Sequence, residues 1–109
     1  MIQKIGLAIV TTLTLSCKAP ASSEIQSLAE CLRDNQVTMY GTSWCGACEY
    51  QKELFGGSWE TVPYVDCEQQ PEKCSRIEAY PSWVLKDGTV LRGSRNLERL
   101  ARETGCEYR

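Results

Sequence analysis

The chain has 109 residues, 42% hydrophobic and 24% charged, the length of one small domain. Twelve basic against fourteen acidic side chains leave a charge of −2, a balance that argues against nucleic-acid binding by phosphate neutralisation. There is no histidine, which excludes His-based triads, Cys-His dyads, Cys2His2 zinc sites and HExxH metalloproteases, while seven cysteines are many for a reducing compartment.

The chain opens with one charge in Met1 to Lys4, an uncharged run from Ile5 to Leu15, and small residues through Ala19-Pro20-Ala21. Charged start, short apolar stretch and A-x-A site predict a secretory signal peptide over 1–21, leaving a domain over 22–109. The alternative is a buried first element of the domain itself. Two processing routes fit: cleavage after Ala21, or lipidation of Cys17 in the lipobox-like Leu15-Ser16-Cys17, which carries Thr14 where leucine is usual. Either removes Cys17 from the thiol pool and leaves six cysteines, an even number that suits disulfide pairing. Cleavage after Ala21 leaves ten basic and fourteen acidic side chains, a charge of −4.

Beyond the leader, Ser23-Glu24-Ile25-Gln26 reads as a capping box. Ile25, Leu28, Ala29 and Leu32 then form a helical stripe running to about Asn35. Val37 to Tyr40 is a β-type run ending at Gly41, and Cys45 to Phe55 reads as helix closed by Gly56-Gly57. A second strand is predicted over Thr61 to Val65 and a short helix over Gln69 to Ile77, with Pro71 in its first turn. Ser82 to Leu85 and Thr89 to Leu91 form a hairpin around Lys86-Asp87-Gly88. Ser94 or Asn96 caps a last helix that carries Leu97, Leu100 and Ala101 and stops at Gly105. The order α-β-α-β-α-β-β-α predicts an α/β sandwich.

The chemistry lies in Trp44-Cys45-Gly46-Ala47-Cys48. A C-x-x-C that follows a strand and opens a helix brings two sulfurs within bonding reach across the first turn. It also places the first of them against free backbone N–H groups and the positive end of the helix dipole. Thiolate is the attacking form, and an unperturbed cysteine is only about 3% ionised at pH 7. Cys45 is therefore assigned as attacking thiol and Cys48, a turn further in, as resolving thiol. Gly46 leaves the approach open and Trp44 covers one side. A C-x-x-C is also half of a zinc site, but C-x2-C-x18-C-x6-C through Cys67 and Cys74 has the wrong final spacing for a ribbon.

The order of elements, the W-C-G-A-C loop and the later Tyr80-Pro81 resemble the thioredoxin superfamily. The resemblance implies a three-layer α/β sandwich, a short mixed sheet of four strands with helices on both faces. It implies that Pro81 is cis and lies against the redox pair, with the main chain of Ala79 and Tyr80 pairing with an extended client strand. On its own, Pro81 reads as an ordinary strand-start proline. Four segments carry a closer likeness: Met39-Tyr40-Gly41-Thr42-Ser43-Trp44-Cys45, Gln51-Lys52-Glu53-Leu54-Phe55-Gly56, Tyr64-Val65-Asp66-Cys67 and Tyr80-Pro81-Ser82-Trp83. They are similar to the thioredoxin-like domain associated with bacterial vitamin K epoxide reductase homologues, which pass electrons from exported client thiols to a quinone-reducing membrane protein. Gly46-Ala47 replaces the proline and histidine that several members place between the cysteines, so a weaker oxidant than the strongest Dsb-type proteins is expected. Thioredoxins bury an acid six residues before the first cysteine; here that place is Met39, which leaves water, Glu49 or Lys52 to serve the Cys48 proton. Otherwise Glu49, Lys52 and Glu53 read as a solvated helix face.

Cys67 and Cys74 are expected to form a structural disulfide worth roughly 2.5 kcal/mol by loop closure, the alternative being a second dithiol that relays electrons. The thioredoxin arrangement puts the first and last helices on opposite faces, which speaks against a Cys31–Cys106 bond and leaves those two thiols unassigned. Trp59, Trp83, Tyr40, Tyr64 and Phe55 read as packing, and Trp44 and Tyr80 as packing or substrate contact. Arg95, Arg99 and Arg102 form a stripe that is either a solvated face or a docking surface. Taken together, the residues predict an exported thiol–disulfide oxidoreductase of periplasm, lumen or envelope that needs no dissociable cofactor and no metal. Its partners would be protein thiols and disulfides and a vitamin K epoxide reductase-like or other quinone-linked membrane protein. Nucleic acid is not among them, and membrane is met only through a lipid on Cys17. The rivals are reduction or isomerisation of clients, a non-catalytic thioredoxin-like binding module, and a metal-binding or copper-handling protein.

Overall fold

The computed structural model describes residues 22–108; the predicted leader over 1–21 and the Cys17 lipidation site lie outside them. Helix α1, Ser23–Asp34, is capped by Ser22, whose hydroxyl accepts from the Ile25 N–H at 3.1 Å. The cap thus sits one residue before the predicted box, and Gln26 instead donates to Glu30 and Thr61. Leu28, Ala29 and Leu32 form its buried stripe. Gln36 takes a left-handed φ of 58° and turns the chain into β1, Thr38–Gly41. Helix α2, Gly46–Phe55, starts at the cap residue Cys45 and stops at Gly56, φ 55°.

A 3-10 segment, Gly56–Thr61, and Pro63 delay the second strand, so β2 is Tyr64–Asp66 and shorter than predicted. The helix predicted over Gln69 to Ile77 is only a 3-10 turn, Pro71–Lys73. Its bonds, Lys73 N–H to Gln70 and Cys74 N–H to Pro71, are i to i+3. A short loop closed by the Cys67–Cys74 bond, seven positions apart, with no apolar stripe to bury, has nothing to lengthen that turn. Strands β3, Ser82–Val84, and β4, Val90–Arg92, form the hairpin, and α3, Leu97–Thr104, is capped by the Asn96 side chain and closed by left-handed Gly105.

The sheet is mixed, in the order β2-β1-β3-β4, with β1 parallel to β2 and the other pairs antiparallel. Its register aligns Tyr64, Met39, Trp83 and Leu91 in one row, so these side chains share a face. Met39 and Trp83 are fully buried there, in one cluster with Leu28 and Leu32 of α1, Cys48 and Phe55 of α2, and Leu97 and Leu100 of α3. On the other face, Tyr40, Val84 and Val90 line a cleft together with Lys73, Arg76 and Ile77 of the loop after β2. This is a thioredoxin-like α/β sandwich.

Gln51 ties the layers together. Fully buried, it accepts from the Trp83 indole N–H at 3.1 Å and the Arg95 N–H at 2.8 Å, and donates to the Arg95 carbonyl at 2.9 Å. Two disulfides add covalent closure. Cys67 and Cys74 are bonded, and so are Cys31 and Cys106, with Cα atoms 6.0 Å apart. The second bond overturns the sequence argument against it. Both terminal helices enter the Met39–Trp83 cluster, and the turn at Gly105 swings Cys106 back onto the last turn of α1. There the Asn35 amide donates to both sulfurs.

Candidate active site

Strand β1 ends at Gly41, and Thr42 to Trp44 carry the chain off the sheet to Cys45. A strand delivering its chain to a helix leaves the first helical N–H groups without intrahelical partners. Here the cap is a sulfur: Cys45 Sγ accepts the Cys48 N–H at 3.0 Å, while the Cys45 carbonyl receives the N–H groups of Cys48 and Glu49. Both thiols are free, with Cys45 8% exposed and Cys48 sealed. Burial, then the Cys45 side chain, pushes the Cys48 thiol up to about 12, against the pull of the Thr42 backbone and Lys52. Cys48 therefore rests protonated at neutral pH.

Gly41 presses against that thiol. A Cβ there would lie 2.8 Å from Cys48 Sγ and 3.3 Å from the Tyr64 ring. Tyr64 is itself pushed up to about 12, first by burial and then by the charges of Asp66, Cys48, Glu49 and Cys45. Its hydroxyl is buried without a hydrogen-bond partner. Lys52, read from sequence either as serving the Cys48 proton or as part of a solvated face, lies with Nζ 4.3 Å from the centre of the Tyr64 ring.

Across the mouth stands the Tyr80-Pro81 loop, whose peptide bond is cis. Pro81 is buried and Ala79 and Tyr80 half-buried. Trp44, 67% exposed, meets the Tyr80 ring edge-on at 6.0 Å, so the structure brings these two together over the site. Gly46 and Ala47 are exposed in the first turn of α2. The Ala79 carbonyl accepts from the Ser82 hydroxyl and the Pro81 carbonyl from the Gly93 N–H.

The Cys67–Cys74 loop is anchored to the same mouth. Cys67 N–H donates to the Gly41 carbonyl, and the Glu68 carboxylate takes both the N–H and the hydroxyl of Ser43. Nothing in the spacing of Ser43 and Glu68 signals that tether. With Cys67 and Cys74 bonded to each other, their thiolates are not available to complete a four-cysteine metal set with Cys45 and Cys48. The arginine stripe also dissolves: Arg95 lies before α3, is buried, and pairs with Glu103, which also binds Arg99.

A buried dithiol that caps a helix, opposite a cis-proline loop on a four-stranded mixed sheet, defines a thioredoxin-fold domain. No protein-family model matches the chain. It is 36% identical over 90 residues to the thiol-disulfide oxidoreductase LTO1 of Arabidopsis thaliana, a match covering 72% of this chain and 24% of that protein. The chain thus spans about a quarter of the length of that relative. The fold is thioredoxin-like, and the similarity to that oxidoreductase extends over most of the chain.

Proposed function

We propose that the protein is a thiol–disulfide oxidoreductase working through Cys45 and Cys48. The observation that carries this is the free pair itself: Cys45 at the helix mouth with its sulfur on the Cys48 N–H, and Cys48 sealed directly behind it. In the reducing direction Cys45 thiolate attacks a client disulfide. One client sulfur leaves as thiolate, and a Cys45–client disulfide forms. Cys48 then gives up its proton and attacks Cys45 Sγ. The mixed disulfide breaks, the Cys45–Cys48 bond forms, the second client sulfur leaves, and two electrons have passed to the client. Oxidation of a client dithiol is the same path reversed.

Clients would lie along the cis-proline loop. The Ala79 and Pro81 carbonyls already accept internal bonds, so the Tyr80 main chain is the segment offered to an extended client strand, between Trp44 and Gly46-Ala47 on one side and Pro81 on the other. Two internal disulfides suit an oxidising compartment. Export by the 1–21 segment, with or without a lipid on Cys17, and re-oxidation by a vitamin K epoxide reductase-like or other quinone-linked membrane protein complete the reading. Among the described residues no helix is long and apolar enough to cross a membrane.

The test is Cys48→Ala expressed in the native host. Cys45 then holds clients as mixed disulfides, and a quinone-linked membrane protein among them supports oxidation of clients. A reducing hub in its place assigns reduction or isomerisation. If Cys48→Ala traps no more than Cys45→Ser, the domain is a non-catalytic binding module.

A further inference from the structure

Cys48 and Lys52 stand four residues apart on α2 and so share one face of it, a turn apart. The Lys52 side chain is not loose in solvent. Only 22% of it is exposed, and Nζ lies 4.3 Å from the centre of the Tyr64 ring, 5.9 Å from that of Trp59 and 3.5 Å from the Glu49 carboxylate. Tyr64 walls the buried thiol as well, since its ring and Cys48 Sγ both crowd the space over Gly41. The ring that carries the ammonium is thus the ring beside the resolving sulfur. Directly across the sheet from Tyr64 is Met39, fully buried and apolar, so that place in β1 offers Cys48 no carboxylate.

We infer that Lys52 is a positioning residue for the resolving step, its ammonium held against Tyr64 and Trp59 so that its charge favours Cys48 thiolate as that sulfur attacks the Cys45 mixed disulfide. The inference rests on the exchange chemistry proposed above. The other titratable groups around the pair are Cys45 and Glu49 on α2 and Tyr64 and Asp66 on β2. Glu49 orients the ammonium and remains more exposed than it. Burial disfavours the charged form of this thiol, and thiolate is the attacking species, so stabilisation of its anion enters the resolving rate directly. In the step, Cys48 releases its proton to solvent and attacks Cys45 Sγ, the bond from Cys45 to the client sulfur breaks, and the client thiolate takes up a proton. Lys52 stays protonated throughout.

The experiment uses the full chain with Cys45 and Cys48 reduced and 5,5′-dithiobis(2-nitrobenzoate) as probe. A first thionitrobenzoate is released as Cys45 attacks the reagent, and a second as Cys48 attacks Cys45. Lys52→Met and Lys52→Gln should slow the second release relative to the first by several-fold and shift its pH dependence upward. Lys52→Arg, which keeps the charge, should restore most of the loss. A second release unchanged in Lys52→Met, or slowed equally in Lys52→Arg, overturns the inference. A wild-type protein that gives the first release and never the second overturns the exchange reading itself, and is a distinct outcome.

Discussion

Gly41 and Cys48 are in direct contact, the glycine Cα facing the Cys48 sulfur so closely that a side-chain carbon at position 41 would come within 2.8 Å of it. Gly41 is buried at the end of β1, paired with Asp66 and accepting from the Cys67 N–H, so the strand is not free to withdraw. Gly41→Ala should therefore destabilise the reduced protein by about 1–3 kcal/mol through overpacking and slow the second thionitrobenzoate release. Urea unfolding of the reduced variant checks it; an unchanged midpoint would mean that β1 yields and that the contact sets nothing.

The two disulfides differ in the length of chain they close. Loop-closure entropy assigns about 4.5 kcal/mol to Cys31–Cys106, separated by 75 residues, and about 2.5 kcal/mol to Cys67–Cys74, separated by 7. Replacing Cys31 and Cys106 together by serine should lower the denaturant midpoint more than the same change at Cys67 and Cys74. The opposite ranking would show that the short loop stabilises through its tether to Ser43 and Gly41 and not through chain entropy.

Alkaline pH should unfold the reduced protein preferentially. An ordinary thiol ionises near 9.0, whereas burial holds folded Cys48 near 12, so above pH 9 the unfolded chain loses a proton that the folded chain keeps. Stability is then complete below about pH 9 and falls as pH rises toward 12. Tyr64, pushed from 10.0 to about 12, adds to the fall above pH 10. Denaturation between pH 8 and 10.5 should show a steeper loss for the reduced wild type than for Cys48→Ala; parallel curves would refute the assignment to Cys48.

Trp44 should matter to protein clients and not to small disulfides. It is exposed and rests edge-on against Tyr80, beside the main chain proposed to take an extended client strand. Trp44→Ala is expected to weaken exchange with a protein disulfide by about fivefold, the scale of an aromatic contact residue. The first release from the nitrobenzoate probe should hardly change. Equal losses with both substrates would place Trp44 in support of the loop.

Local signals carried much of the architecture and the dithiol. The stripe of Leu28, Ala29 and Leu32, the glycines at 56, 88 and 105 and the Trp44-to-Cys48 motif act over a few residues, within the reach of helical periodicity, turn chemistry and capping. These determined α1, α2, the hairpin, α3 and the class of chemistry. Only the tertiary structure decided which distant groups meet. Cys31 found Cys106 because both terminal helices enter one apolar cluster. Gln51 linked Trp83 to Arg95, Glu68 reached Ser43, and Lys52 came to lie over Tyr64. Each of these pairings depends on how the sheet register and helix packing fold separated stretches together, and no periodicity along the chain encodes that.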